Sequence, residues 1–160
     1  FRIGDQVTTS NYTGKVEDVQ IRATKLRLVS GEEVTIPNSL VFGGVVINNT
    51  YYEERRATIT VTFDQEEFVK DETPQQVLKT IKEVDTVKVK PEPTITLSGF
   101  TGTVSGYTGS FSGYTTKTVT LTARFWIENG QLSAVTEVMY ALRAAFPTVD
   151  LTVRESAGDI

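Results

Sequence analysis

Cysteine and histidine are both absent from this 160-residue chain. Without them there is no disulfide framework, no zinc-thiolate site, no thiol nucleophile and no Ser-His-Asp relay. Any catalysis would have to come from carboxylates, lysine, tyrosine or a Mg²⁺ site. No apolar run approaches the roughly 20 residues that span a bilayer, and there is no signal-peptide pattern. A basic excess is also lacking. The formal charge is −4, which argues against nucleic acid as a partner, because such binders carry a positive field. The deficit is uneven. Residues 1–56 hold seven Lys/Arg and seven Asp/Glu, so residues 57–160, with nine and thirteen, carry all of it.

What is present is an ordinary folded composition, 39% hydrophobic and 22% charged, of a size for one or two small domains. The most informative stretch is Gly31-Glu32-Glu33-Val34-Thr35-Ile36-Pro37-Asn38-Ser39-Leu40. Ile36 precedes a proline and is biased towards extended backbone. Pro37 has no N–H, so a central strand cannot run through it. Asn38 and Ser39 can bond nearby backbone and close a turn. On its own this is a strand ending in a turn, common in soluble domains.

Its neighbours are more specific. Upstream stand Phe1-Arg2-Ile3-Gly4-Asp5, Gly14-Lys15-Val16 and the Arg-containing run Ile21–Arg27. Downstream stand Val45-Val46-Ile47-Asn48-Asn49 and the pair Arg55-Arg56. In this order and spacing, residues 1–64 resemble the cytoplasmic part of the small-conductance mechanosensitive channel (MscS) family. Over the remainder the resemblance lies in element order. It implies an Sm-like β domain followed by an α+β domain, with the pore-lining helix expected just ahead of Phe1. It further implies a homo-oligomer, typically a heptamer, forming a cage below the pore through which ions and small osmolytes pass. The full-length protein would lie in the cell's inner membrane, with this portion on the cytoplasmic side, and would need neither enzyme chemistry nor a cofactor. Gly4, Asp5, Gly14, Pro37, Asn38, Ser39 and Asn48 are the motif positions, and their expected role is to shape turns. An Sm-like module binding RNA or a small ligand is the alternative, and the acidic balance counts against it. A carboxylate enzyme would have no motif behind it.

Periodicity gives the elements. Strands are expected at Gln6–Thr9, Thr13–Gln20, Lys25–Val29, Glu33–Ile36 and Val45–Asn48, with Val16, Val19, Ile21, Leu26, Leu28, Val34 and Ile36 inside. Five short strands in so few residues suggest a small, strongly curved barrel over 1–56. From residue 57 onward, Ile59, Val61 and Phe63 alternate with threonines, as on a half-buried strand. Thr73 as N-cap and Pro74 at the first helical position open a helix near 74–85. Strands at Thr94–Ser98 and Thr118–Glu128 follow. Next come a helix near 131–145, burying Leu132, Val135, Val138, Met139 and Leu142, and a last strand carrying Val149, Leu151 and Val153. This βαββαβ order is that of a ferredoxin-like unit, expected over 57–160.

Residues 99–115 are an insert between its two middle strands. They read Gly-Phe-Thr-Gly-Thr-Val-Ser, then Gly-Tyr-Thr-Gly-Ser-Phe-Ser, then Gly-Tyr-Thr, and no charged residue occurs between Thr94 and Thr116. A long β-hairpin is expected here. Strand parity from Leu97, taken as facing the core, puts Phe100 on the opposite face from Phe111. Apolar groups on both faces of a two-stranded ribbon need cover, so Phe100, Tyr107, Phe111 and Tyr114 are candidate contacts to another subunit.

Two charge clusters remain. Glu53-Glu54-Arg55-Arg56 has the bland reading of a solvated loop. Within the resemblance these four residues would line side portals of the cage and bias which ions enter. Asp64, Glu66, Glu67, Asp71 and Glu72 match no cation-loop spacing and read as a solvated face, with Asp71 and Glu72 beside a helix N-terminus.

Overall fold

The computed structural model describes residues 1–102 and 117–154. The chain divides into two compact units, Phe1–Glu53 and Glu54–Ile160.

The first unit is one antiparallel sheet. Its strands are β1 (Gln6–Thr9), β2 (Tyr12–Val19), β3 (Ala23–Leu28), β4 (Glu33–Pro37) and β5 (Ile47–Asn48), in the spatial order β4-β3-β2-β1-β5. A bulge between Val16 and Asp18 bends β2, since an extra residue on one strand raises the local twist. Val7, Val16, Leu26, Ile36 and Val41 make the core. Val41 belongs to a short helix, α1 (Asn38–Gly43), where a turn alone was expected. Leu40-Val41-Phe42 is too short a run for helical period to register. Two residues assigned to the interior lie outside it. Val19 is 40% exposed and Ile21 98%, because β2 ends at Val19 and the chain turns back through residues 20–22.

The second unit contains β6 (Glu54–Asp64), α2 (Thr73–Lys82), β7 (Thr94–Gly102), β8 (Lys117–Glu128), α3 (Ser133–Ala145) and β9 (Asp150–Arg154). The sheet order is β7-β8-β6-β9, all neighbours antiparallel. Odd-numbered residues of the two central strands, among them Ile59, Val61, Phe63, Leu121, Phe125 and Ile127, are buried with Val77 and Ile81 of α2 and Ala134, Val138 and Leu142 of α3. The opposite face is covered with hydroxyls. Thr58, Thr60 and Thr62 on β6 stand across from Arg124, Thr122 and Thr120 on β8, and Thr96 of β7 pairs with Thr122. Cross-strand threonines suit a pleated surface, and on this one Thr58 and Thr122 are buried while Thr60, Thr62 and Thr120 are half-buried.

Four details depart from the sequence reading. Glu54, Arg55 and Arg56 form the start of β6, paired with Glu128, Ile127 and Trp126, rather than a loop ahead of it. Thr73 lies in the first turn of α2, where its hydroxyl accepts the Val69 N–H at 2.9 Å, while Glu72 holds the N-cap position. Leu132 precedes α3 and is 66% exposed, so it is no core residue. A bulge between Leu97 and Gly99 resets the parity of β7. Leu97 then opposes Leu121 and Phe100 opposes Val119, which puts both side chains on one face. Both are nevertheless exposed, Phe100 at 65%, on the edge strand of the sheet, while their partners Val119 and Leu121 on β8 are buried.

Candidate functional site

The motif residues of the first unit converge in two groups. The first is built around Asp5. Gly4 has φ +100° and donates its N–H to Val16 O at 2.8 Å, a conformation that favours glycine. This turn brings the Asp5 carboxylate to the Arg2 N–H at 2.8 Å and the Asn48 side-chain amide at 2.9 Å. The Arg2 amide first, and then Asn48, hold the Asp5 carboxyl below its usual range, because hydrogen bonds to the ionised form favour it. On its other side Asn48 accepts the Thr50 N–H at 3.0 Å, and Thr50 Oγ1 accepts the Gln6 N–H at 2.9 Å. The result ties the first residues of the chain to β5, 43 positions away.

The second group is built around Asn38. Its Nδ2 donates to the carbonyls of Gln20 at 2.7 Å and Ile21 at 3.1 Å, and its Oδ1 accepts the hydroxyl of buried Thr24 at 2.7 Å. Its backbone N–H reaches Arg22 O at 2.8 Å. Asn38 therefore closes the β2–β3 turn, not its own. Pro37, at φ −55° and ψ 135°, ends β4 and delivers Asn38 into the first turn of α1. Ser39 beside it is exposed, with no side-chain hydrogen bond among the described residues. Gly14 serves neither group. It is buried where β1, β2 and β3 meet, and a Cβ there would lie 2.7 Å from the Arg27 carbonyl oxygen.

In the second unit the charged run is split by strand parity. Glu54 stands directly opposite Glu128, and Lys88 pairs with both, at 3.3 Å from Glu54. Glu128 first, and then Glu54, raise the Lys88 pKa. Arg55 and Arg56 line a cavity of about 400 Å³ between the sheet and α3. Glu53 is exposed at the end of the first unit. The acidic residues after β6 do not gather. Among the described residues no group of three or more carboxylates is placed to hold a metal, and Glu67 accepts the Thr148 hydroxyl at 2.8 Å. Of the four aromatics proposed as contacts, Phe100 is described and exposed. Tyr107, Phe111 and Tyr114 lie outside the described residues.

The groups assembled here brace turns and pair charges, and sequence spacing alone gave no sign of the cavity beside α3. Comparison with known proteins places the chain. Residues 1–51 match the family model of the mechanosensitive ion channel β-domain. An uncharacterized MscS family protein of Bacillus subtilis (strain 168), YhdY, is 41% identical over 61 residues, 38% of this chain and 16% of that protein. One from Aquifex aeolicus (strain VF5) is 33% identical over 85 residues, 52% of this chain and 22% of that protein. Among solved structures, closed-state MscS of Helicobacter pylori matches 100% of this chain and 58% of that one, with a TM-score of 0.67 at 22% identity. Arabidopsis thaliana MSL1 matches 98% of this chain and 53% of its own, with a TM-score of 0.60 at 18% identity. The resemblance to the MscS family is thus borne out in sequence over the first unit and in fold over both. The chain spans less than a quarter of the curated relatives it matches and just over half of these solved chains. Among the described residues no helix is long and apolar enough to cross a membrane.

Proposed function

We propose that this chain is the cytoplasmic vestibule portion of an MscS-like mechanosensitive channel, a homo-oligomeric, typically heptameric, cage that passes ions and small osmolytes during hypoosmotic release. The observation that carries the reading is the match of this whole chain, both units in order, to 58% of one MscS chain, joined to the match of residues 1–51 to a channel β-domain. In this reading the first unit is an Sm-like domain, supported by its β4-β3-β2-β1-β5 meander. The second is ferredoxin-like, supported by its βαββαβ order and β7-β8-β6-β9 sheet. The protein attaches to the inner membrane through helices ahead of Phe1. Asp5 and Asn48 would then fasten the entry of the pore helix to the β domain. Glu53, Glu54, Arg55 and Arg56 would line openings in the cage wall, where fixed charge biases ion entry. Exposed Phe100 would touch a neighbouring subunit.

The test is the full-length protein in bacteria stripped of their own tension-gated channels. Survival of hypoosmotic shock, and suction-activated currents in patches, are the expected results. Tension-insensitive membranes with the protein present would overturn the reading. The 160-residue chain by itself is expected to sediment mainly as monomer at micromolar concentration, since subunits no longer held in one bilayer lose their effective concentration.

A further inference from the structure

The sheet of the second unit has two edge strands, and they differ. β7 is interrupted by the bulge between Leu97 and Gly99, whereas β9 pairs with β6 in unbroken register, from Asp150 opposite Thr62 to Arg154 opposite Thr58. An edge strand carries main-chain donors and acceptors turned away from its own sheet, and lysine, proline or a bulge commonly blunts it. β9 reads Asp150-Leu151-Thr152-Val153-Arg154 and has none of these. Its charges stand at its two ends. Asp150 and Arg154 are exposed, and among the described residues neither has an ion-pair partner. Strand parity puts both, with Thr152, on the face away from the helices. Leu151 and Val153 are half-buried on the helix face. There Leu151 shares a hollow of about 320 Å³ with Met139, Tyr140 and Arg143 of α3, and Tyr140 is exposed.

We propose that the β9 edge pairs antiparallel with the β9 edge of a second copy of this chain, about a two-fold axis at Thr152 and perpendicular to the sheet. The strand selects its own copy. An antiparallel partner needs an acid opposite Arg154, apolar residues opposite Val153 and Leu151, and a base opposite Asp150. Read from its N-terminus, that partner is acid, apolar, any residue, apolar, base, which is the pattern of β9 itself. Opposed residues of a sheet share a face, so a two-fold register must pair residues of like parity. Among such registers, the one centred on Thr152 pairs all five residues. It sets Asp150 opposite Arg154 at both ends and Leu151 opposite Val153. Opposite charges directly across a ladder stabilise it, and the helices of both copies stay on one side, with each Tyr140 beside the joint. Five residue pairs make a small contact, of the weak and transient class. It is two-fold and therefore distinct from any seven-fold ring contact, so the inference holds or fails apart from the channel reading.

Sedimentation equilibrium of the 160-residue chain, carried up to about 1 mM, should show monomer giving way to dimer and nothing larger, because a two-fold contact closes at two. Asp150→Arg alone and Arg154→Asp alone each set like charges opposite one another at both ends. Each should weaken dimerisation by roughly tenfold or more. Both changes in one chain restore the opposition and should restore the dimer. Thr152 reports the register. The chain has no cysteine, and directly opposed residues of an antiparallel ladder have Cα atoms about 4.5–5.5 Å apart, within disulfide reach. Thr152→Cys should therefore give a disulfide-linked dimer in air, and Thr94→Cys, exposed on the far edge, should not. Monomer throughout to about 1 mM, single charge variants that dimerise like the parent, or equal cross-linking through positions 152 and 94 would each overturn the proposal. So would open-ended oligomers, or a double charge variant that is folded by circular dichroism yet monomeric.

Discussion

Asn38 spends one side-chain amide on three partners and its backbone N–H on a fourth. The geometry explains why asparagine stands there. Aspartate lacks the donors for the Gln20 and Ile21 carbonyls, and serine lacks the reach. Asn38→Ala strips the partner from the buried Thr24 hydroxyl as well as opening the turn. It is expected to cost about 1–3 kcal/mol, the range for leaving a buried polar group unsatisfied, read as a lower urea midpoint at unchanged slope. Asp5 gives a pH signature instead. Its folded pKa is depressed, so its contribution is present above the unfolded value of about 3.9 and is lost as pH falls through the folded value. Asp5→Asn should therefore melt below the parent at pH 7, with the gap closing on acidification towards pH 2. A gap that stays constant from pH 7 to pH 2 would show that the carboxylate charge contributes nothing.

At the scale of elements, the start of β6 is held by an arrangement no single residue explains. Glu54 and Glu128 face each other across the β6–β8 ladder, where like charges repel, and Lys88 sits between them. Lys88→Gln should lower stability, and adding Glu54→Gln should restore part of it, because the second change removes the repulsion the first exposes. A double variant no better than the single would count against the arrangement. The raised Lys88 pKa adds a second sign. The bridge acts in full below the unfolded lysine value and fades as pH rises through the folded one, so the single variant and the parent should converge in strong alkali. How much of this was legible divides along physical lines. Alternation showed Ile59, Val61 and Phe63, and four-residue spacing showed Val138 and Leu142, because local period and burial agree there. Leu97, Val19 and Leu132 read as core by the same pattern and are exposed, since Leu97 lies on the edge strand and Val19 and Leu132 at the ends of their elements. The bulges at residues 17 and 98 leave no mark in composition. The motif positions were visible as turn-formers, but Asn38 reaching back to Gln20 and Asp5 reaching on to Asn48 are long-range contacts that spacing does not encode.

Over the whole molecule, the two units differ in how much core each can build. Among the described residues, the first has five buried apolar residues in its cluster and the second fourteen. A domain of about 60 residues buries only about 60% of the surface its unfolded chain exposes, and the first unit spans Phe1–Glu53. Its stability must lean on the hydrogen-bonded turns around Asp5 and Asn38, and each such bond nets only about 0.5–1.5 kcal/mol. The second unit can rely on apolar burial at roughly 25 cal/mol per Å². Unfolding is therefore expected in two steps, the first unit ahead of the second. The sequence supplies a clean reporter, because its one tryptophan, Trp126, lies on β8 of the second unit. In a urea titration, far-UV circular dichroism should begin to fall before Trp126 fluorescence moves, and Asn38→Ala should shift the early step alone. Coincident transitions by both probes, shifted together by Asn38→Ala, would mean that the units unfold as one and that the small core of the first is sustained by the second.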